Sequence, residues 1–170
     1  MKRYNFFVVF IIFSLFSLQA TAQTTDSVII NPSAKDAYLE IGGPGFFSAN
    51  YDQRFKGQNG LGFRVGLGGI GILGSGIFSV PIGLNYLSGS KGNYFEWGAG
   101  ASIVTLSESD FWLSNNSTTT TSTSIIGFIN LGYRYQPEKK GFTGRIFISP
   151  LFSGDGFFPF YGGISAGFKF

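Results

Sequence analysis

The sequence predicts an all-β fold, an eight-stranded antiparallel barrel that crosses a membrane. Three observations carry that expectation. Segment after segment alternates apolar and polar residues with a period of two. Charged residues make up only 12% of the chain, against about 25% in ordinary soluble domains, while aromatics reach 18% and glycine fills 26 of 170 positions. Beyond its first two dozen residues the chain has no apolar run of helix-spanning length. A closed barrel is then the remaining way to satisfy the backbone inside a bilayer.

The N-terminus reads as a separate element. Lys2 and Arg3 precede an apolar stretch from Phe6 to Leu18, broken only by Ser14 and Ser17, and the small residues of Ala20-Thr21-Ala22 follow. This is the layout of a secretory signal peptide, with cleavage expected between Ala22 and Gln23. The alternative is an uncleaved anchor, but residues 6–18 fall short of the roughly 20 that a helical crossing needs. The expected organisation is a signal peptide over 1–22, a polar N-terminal segment over 23–36 and a barrel domain over 37–170.

Charge and composition exclude several function classes. Two units of the net charge of +3 belong to Lys2 and Arg3, so the exported chain is close to neutral. No basic run exceeds Lys139-Lys140, and no nucleic-acid partner is expected. The absence of Cys removes disulfides, thiol catalysis, cysteine zinc sites and the lipid-bearing cysteine of a bacterial lipoprotein. The absence of His removes the usual general base and the commonest metal ligand. Neither a cofactor nor a metal is expected, and the chain does not read as an enzyme.

Six strands are marked by clean alternation. Leu61, Phe63, Val65 and Leu67 oppose Gly62, Arg64, Gly66 and Gly68. Phe78, Val80, Ile82, Leu84 and Tyr86 oppose Ser79, Pro81, Gly83 and Asn85. Over 95–105, Phe95, Trp97, Ala99, Ala101 and Ile103 oppose Glu96, Gly98, Gly100 and Ser102; over 125–135, Ile125, Ile129, Leu131 and Tyr133 oppose Asn130, Gly132 and Arg134. Phe142, Gly144, Ile146 and Ile148 oppose Thr143, Arg145, Phe147 and Ser149, and the last strand runs to Phe170 with Lys169 on its polar face. A seventh strand is expected over 47–55. An eighth, over 37–43, requires Gly42-Gly43-Pro44-Gly45 to be a hairpin rather than a bend in one long strand.

An even strand count favours the hairpin. Counting back from Phe170 makes 56–60, 88–93 and 136–141 short turns at the end that holds both termini. The longer connections, 71–76, 107–122 and 153–157, fall at the other end. The segment 107–122 is rich in Ser and Thr, carries Asp110-Phe111-Trp112 near its start, and reads as a solvated loop with a belt aromatic at its base.

Each strand has one face almost free of charge. The other faces carry Glu40, Asp52, Arg54, Arg64, Glu96, Arg134 and Arg145, all toward the terminal end. Two barrels fit this pattern. In a membrane barrel the charged face points inward; in a soluble lipocalin-like barrel around a hydrophobic ligand it points to water. Low charge content favours the membrane, as do aromatics near strand ends such as Phe55, Tyr86, Phe95, Trp97, Tyr133 and Tyr135. The expected interior is a salt-bridge network, with Arg64 paired to Glu96 or Glu40, because buried charges need partners. Gly66, Gly68, Ser48, Ser79, Ser102, Gly163 and Ser165 are expected to leave a shallow cavity toward the loop end.

Two other patterns carry no function. Gly66-x-Gly68-x-x-Gly71 matches a dinucleotide fingerprint only literally, since a strand follows where a helix is required. Ser102 with Glu96 or Asp52 has no base to complete a triad.

The C-terminal stretch Ile164-x-Ala166-x-Phe168-x-Phe170 resembles the signal that outer-membrane insertion machinery recognises, with Ile164, Phe168 and Phe170 as its carriers. Tyr38-Leu39-Glu40-Ile41-Gly42-Gly43, Leu84-Asn85-Tyr86 and Gly132-Tyr133-Arg134-Tyr135-Gln136-Pro137 resemble small outer-membrane barrels of the Bacteroidetes type, over most of 38–170. The resemblance implies the outer membrane of a Gram-negative cell, with outer-membrane lipid and the insertion machinery as partners, and a structural or surface-binding role. A narrow channel or small-solute carrier is the main rival expectation.

Overall fold

Ten β-segments form one antiparallel sheet that closes on itself in the computed structural model, which describes residues 33–72, 75–109, 119–154 and 156–170. The expected signal peptide and the Asp110-Phe111-Trp112 motif lie outside the described residues. The segments are β1 (Lys35–Gly42), β2 (Phe47–Arg54), β3 (Gly60–Ile72), β4 (Ser75–Ser90), β5 (Asn93–Ser109), β6 (Thr119–Tyr135), β7 (Gly141–Ile148), β8 (Leu151–Ser153), β9 (Gly156–Phe158) and β10 (Gly162–Lys169). Both β7 and β8 pair with β6, and β9 pairs with β8 as β10 pairs with β7. Each of these two couples is therefore one wall strand interrupted by a break, and the barrel has eight strands. The β1–β10 and β5–β6 ladders complete the ring.

Alternation decides the facing. Leu39, Ile41, Leu67, Ile82, Leu84, Ile146 and Ile164 stand exposed on the outside. Glu40, Asp52, Arg54, Arg64, Glu96, Arg134, Arg145 and Lys169 are all buried inside. This is the reverse of a soluble barrel, so the lipocalin-like alternative does not describe this chain. Tyr86 and Trp97 lie 5.3 Å apart on the exterior, and Phe55 stacks on Phe63 at 6.1 Å, giving the terminal end an aromatic rim.

The first two strands form the expected hairpin, but its turn does not project outward. Gly43–Gly45 make one 3-10 turn whose three residues are buried. Gly42 and Gly43 adopt φ of 81° and 67°, conformations that glycine reaches without strain. The turn lies against the small residues expected to line a cavity: Ser79 donates to the Gly45 carbonyl at 3.0 Å, and a Cβ on Gly68 would run into that same carbonyl. The expected shallow cavity over those glycines and serines is therefore occupied by the chain's own turn.

Strands run further than expected at the loop end. β5 and β6 pair continuously out to Ser109↔Thr119, so the connection contracts from 107–122 to residues 110–118. Threonine fits a pleated surface well, and Thr105 and Thr123 meet across the ladder at 3.3 Å. At the other end β1 starts at Lys35 rather than at residue 37, with Asp36 already facing inward. Lys91 (φ 55°) and Gly92 (φ 88°) form the tight turn between β4 and β5, both central residues having the positive φ that a two-residue hairpin of this hand needs.

Gly68→Val tests the inward turn. The added side chain collides with Gly45 and with Ser48 Cβ, 2.6 Å from the position of a new Cβ. Overpacking of this kind costs about 1–3 kcal/mol. Urea titration of the vesicle-inserted protein should show that loss, while unboiled and boiled samples still migrate differently on a gel. An unchanged titration midpoint would mean the turn does not occupy the lumen.

Candidate functional site: the charged lumen

Seven of the inward charges form one alternating chain. Arg54 pairs with Asp52; Asp52 Oδ2 also accepts from Arg134 Nη2 at 3.2 Å; Arg134 Nε donates to Glu96 Oε2 at 2.8 Å. Glu96 Oε1 then takes Arg145 Nη1 at 3.0 Å, Glu40 Oε2 takes Arg145 Nη2 at 2.7 Å, and Glu40 Oε1 takes Arg64 Nη2 at 2.9 Å. The order is Arg54–Asp52–Arg134–Glu96–Arg145–Glu40–Arg64. Each carboxylate bridges two guanidinium groups, and an arginine ends the chain on both sides. All seven expected lumenal residues are brought together. Of the two partners expected for Arg64, the structure selects Glu40; Glu96 pairs with Arg134 and Arg145 instead.

Strand pairing builds this arrangement. Asp52 and Arg64 are direct cross-strand neighbours, as are Asp36 and Asp52. Arg134 faces Arg145 across the β6–β7 ladder, a like-charge contact that would be unfavourable alone. Glu96 sits opposite Gly132, and its carboxylate reaches both of those arginines. A Cβ at Gly132 would run into the Ile146 carbonyl and Phe147 across the β6–β7 ladder.

Neutral side chains complete the set, and sequence reasoning did not single them out. Asn85 donates from Nδ2 to Asp52 Oδ2 at 2.6 Å and to Glu96 Oε1 at 2.9 Å, and accepts from Arg54. Asn50 accepts from Arg64 at 3.0 Å. Tyr38 sits among three arginines, its ring 5.8 Å from Arg64 Cζ, 5.8 Å from Arg134 Cζ and 4.9 Å from Arg145 Cζ, and its hydroxyl accepts from Arg145 at 3.1 Å. Its π system thus lies within cation–π distance of three guanidinium groups. These residues share the inward parity of the charged ones, which is the signal that would have found them.

Below the chain, the turns at the terminal end fold across the opening. Lys169 Nζ donates to the Pro137 and Glu138 carbonyls at 2.6 and 2.7 Å and to Gln58. Gln136 Nε2 reaches the Gln58 carbonyl at 2.9 Å, and Arg54 Nη1 the Gly60 carbonyl at 2.9 Å. Thr143 donates to Asp36 at 2.9 Å. The interior is thus crossed by the charged chain, floored by tied turns and filled at the loop end by Gly43–Gly45. Ile164, Phe168 and Phe170 take no part in it and stand exposed on the outer face. Gly66, Gly68 and Gly71 lie within β3, with no helix after them. Among the described residues no cluster of His, Cys, Asp and Glu fits a metal ion.

The bridging position of Glu40 sets an order of effects. Arg64→Leu leaves one carboxylate short of a partner, and such a loss in a buried pair typically costs about 3–5 kcal/mol. Glu40→Gln removes the carboxylate partner of Arg64 and one of the two that Arg145 has, and should be the more destabilising change. The double variant should fall below the sum of the singles. Urea titration in lipid vesicles measures all three; strictly additive effects would contradict the pairing.

The barrel is similar to the N-terminal β-barrel domain of OprF from Pseudomonas aeruginosa, with a TM-score of 0.59 and 12% identity, over 82% of this chain and 98% of that one. Neisserial surface protein A aligns over 81% of this chain and 94% of its own, with 17% identity and a TM-score of 0.49. No protein-family model matches the sequence, and no curated protein sequence does. At 12% identity the OprF likeness concerns the fold alone. In that respect the chain is a closed eight-stranded antiparallel barrel similar to that domain.

Proposed function

We propose that this protein is an outer-membrane barrel of a Gram-negative bacterium with a structural or surface-presenting role, its lumen held shut by the arginine–carboxylate chain. The facing of the strands carries the reading. Leu67 is 60% exposed and Ile146 62%, whereas Arg64 and Glu40 on the opposite faces are 1% and 0% exposed. An exterior of that kind requires lipid around it. Closure of the ring leaves the ladder without the continuous free edge that an open sheet would present to hydrocarbon.

The termini then lie in the periplasm, and the β5–β6 hairpin reaches the cell exterior. In the same reading Ile164, Phe168 and Phe170 are read by the insertion machinery during biogenesis, a signal peptide directs export, and the short Gly-rich motifs assign the chain to the Bacteroidetes type of small barrel. Catalysis has no part in the proposal: the sequence has neither His nor Cys, and Ser102 is buried on the inward face. A channel is disfavoured because the lumen is filled by side chains and by the first turn.

Membrane fractionation combined with planar-bilayer recording tests this. The protein should sediment with outer-membrane markers, and purified protein should produce no stable single-channel steps. Recovery in the soluble periplasmic fraction would overturn the location, and discrete conductance would overturn the closed lumen.

A further inference from the structure

The barrel wall is not equally tall all round. β3 to β6 rise far above β1 and β2, which have eight residues each. Because the β1–β2 turn folds inward, the strands beside that hairpin continue without it. β10 pairs with β1 only as far as Gly163↔Gly42, and β3 pairs with β2 only as far as Gly68↔Ser48. Above those levels β9 and residues 69–72 of β3 have, among the described residues, no ladder partner on the sides facing each other. The wall has a notch at the loop end, directly above the first hairpin.

Behind it, on the inner face of β6, β8 and β9, lies an apolar cavity of about 310 Å3 lined by Phe46, Ile126, Leu151, Ser153, Phe158 and Tyr161. That is the low end of the range for ligand pockets, about 300–1,000 Å3. Phe46 and Tyr161 meet edge to face at 6.5 Å. Phe46 is held at φ 64°, ψ −88°, a conformation strained for any residue with a side chain. The strain has a structural cause: the Gly42 N–H is bonded to the Phe46 carbonyl at 2.6 Å, and the Phe46 N–H to the Gly43 carbonyl at 3.2 Å. Strained backbone of this kind concentrates at ligand sites.

The depth of the notch identifies the kind of molecule that fits. Phe152, paired with Phe157, is level with Gly127, just below the point where the β6 exterior changes from Ile125 to Thr123 and Thr121. The notch therefore spans the boundary between hydrocarbon and headgroups. Free strand edges offer N–H and C=O groups, which are costly to leave bare in hydrocarbon. The lining behind them is apolar. Polar rim and apolar interior together match an amphiphile, with its headgroup at the edges and its chain inside.

We propose that the notch is a lateral binding site for one alkyl chain of an outer-leaflet lipid, entering sideways from the membrane. This rests on the outer-membrane reading above. The inward turn that closes the lumen to solutes is the same element that lowers the wall and makes the side entrance. The site binds; no bond is made or broken there.

Photo-crosslinking separates the possibilities. The intact protein is placed in vesicles containing phosphatidylcholine with a diazirine in one acyl chain, and adducts are mapped by mass spectrometry. Ile103 and Phe78 on the lipid face report insertion; Val104, buried in the lumen, reports background. Adducts on Ile126 and Tyr161 should exceed those on Val104 several-fold. Ile126→Trp, which fills the cavity, should reduce labelling of Tyr161 several-fold while heat-modifiable migration persists. Labelling of Ile103 and Phe78 with Ile126 and Tyr161 at the Val104 level would overturn the site alone, as would Tyr161 labelling unchanged by Ile126→Trp. No adducts on Ile103 and Phe78 would overturn the membrane reading and this site with it.

Discussion

Four arginines and three carboxylates share an interior too narrow to hydrate them, and everything else in the barrel accommodates their pairing. A charge moved from water into such a space loses solvation that only close counter-charges and hydrogen bonds restore. Strict alternation of sign meets that requirement, since each carboxylate has two oxygens and each oxygen finds a guanidinium. Glu40 and Arg145 are 105 residues apart in sequence, and Arg134 and Asp52 are 82 apart. The chain of charges therefore joins strands that no ladder connects directly. It acts as an internal cross-brace, fixing register as well as closing the lumen.

The space around that brace is apportioned by residue size. Large side chains are concentrated at the level of the charges, where Tyr38 and Phe147 pack against guanidinium planes, Phe147 lying 4.7 Å from Arg145 Cζ. Toward the loop end the inward positions shrink to Gly66, Gly68, Ser79 and Ser102, and the Gly43–Gly45 turn takes the volume they release. Pro81 contributes at the same level: it is buried in the middle of β4, where its missing N–H coincides with a gap in the ladder to β3 between Val65↔Ile82 and Gly68↔Ser79. Filling from both ends blocks the lumen at the level of the charges and of the first turn. The cost in shape is the lowered wall above the first hairpin.

Outside, the same chain presents exposed aliphatics between two aromatic zones. Tyr51, Phe63 and Phe170 gather with Phe55 near the terminal end, at ring separations from 6.1 to 6.4 Å. Phe152 and Phe157 stack at 4.8 Å on the hairpin beside the notch. In the membrane setting proposed above, interface aromatics anchor a barrel at a fixed depth, and depth decides whether the unpaired edges of β9 and β3 meet headgroups or hydrocarbon.

Facing, strand number and the identity of the lumenal charges were legible in the sequence, because a period of two is a local property: once Arg64 points in, Leu67 must point out. The hairpin at Gly42–Gly45 was legible too, from strand parity. Three features were not. Which carboxylate meets which arginine depends on the stagger of strands around the ring, so Arg64 had two candidate partners until the closed barrel placed Glu40 beside it. The inward fold of the first turn depends on room left by glycines and serines on other strands, and no local pattern at Gly43-Pro44-Gly45 reports that room. The extension of β5 and β6 through a Ser/Thr-rich stretch depends on each strand having the other as neighbour; alone, that stretch has the composition of a loop. Sequence determined the direction of each side chain from its own strand, and tertiary structure decided what it meets, because closure brings together residues that the local pattern cannot relate.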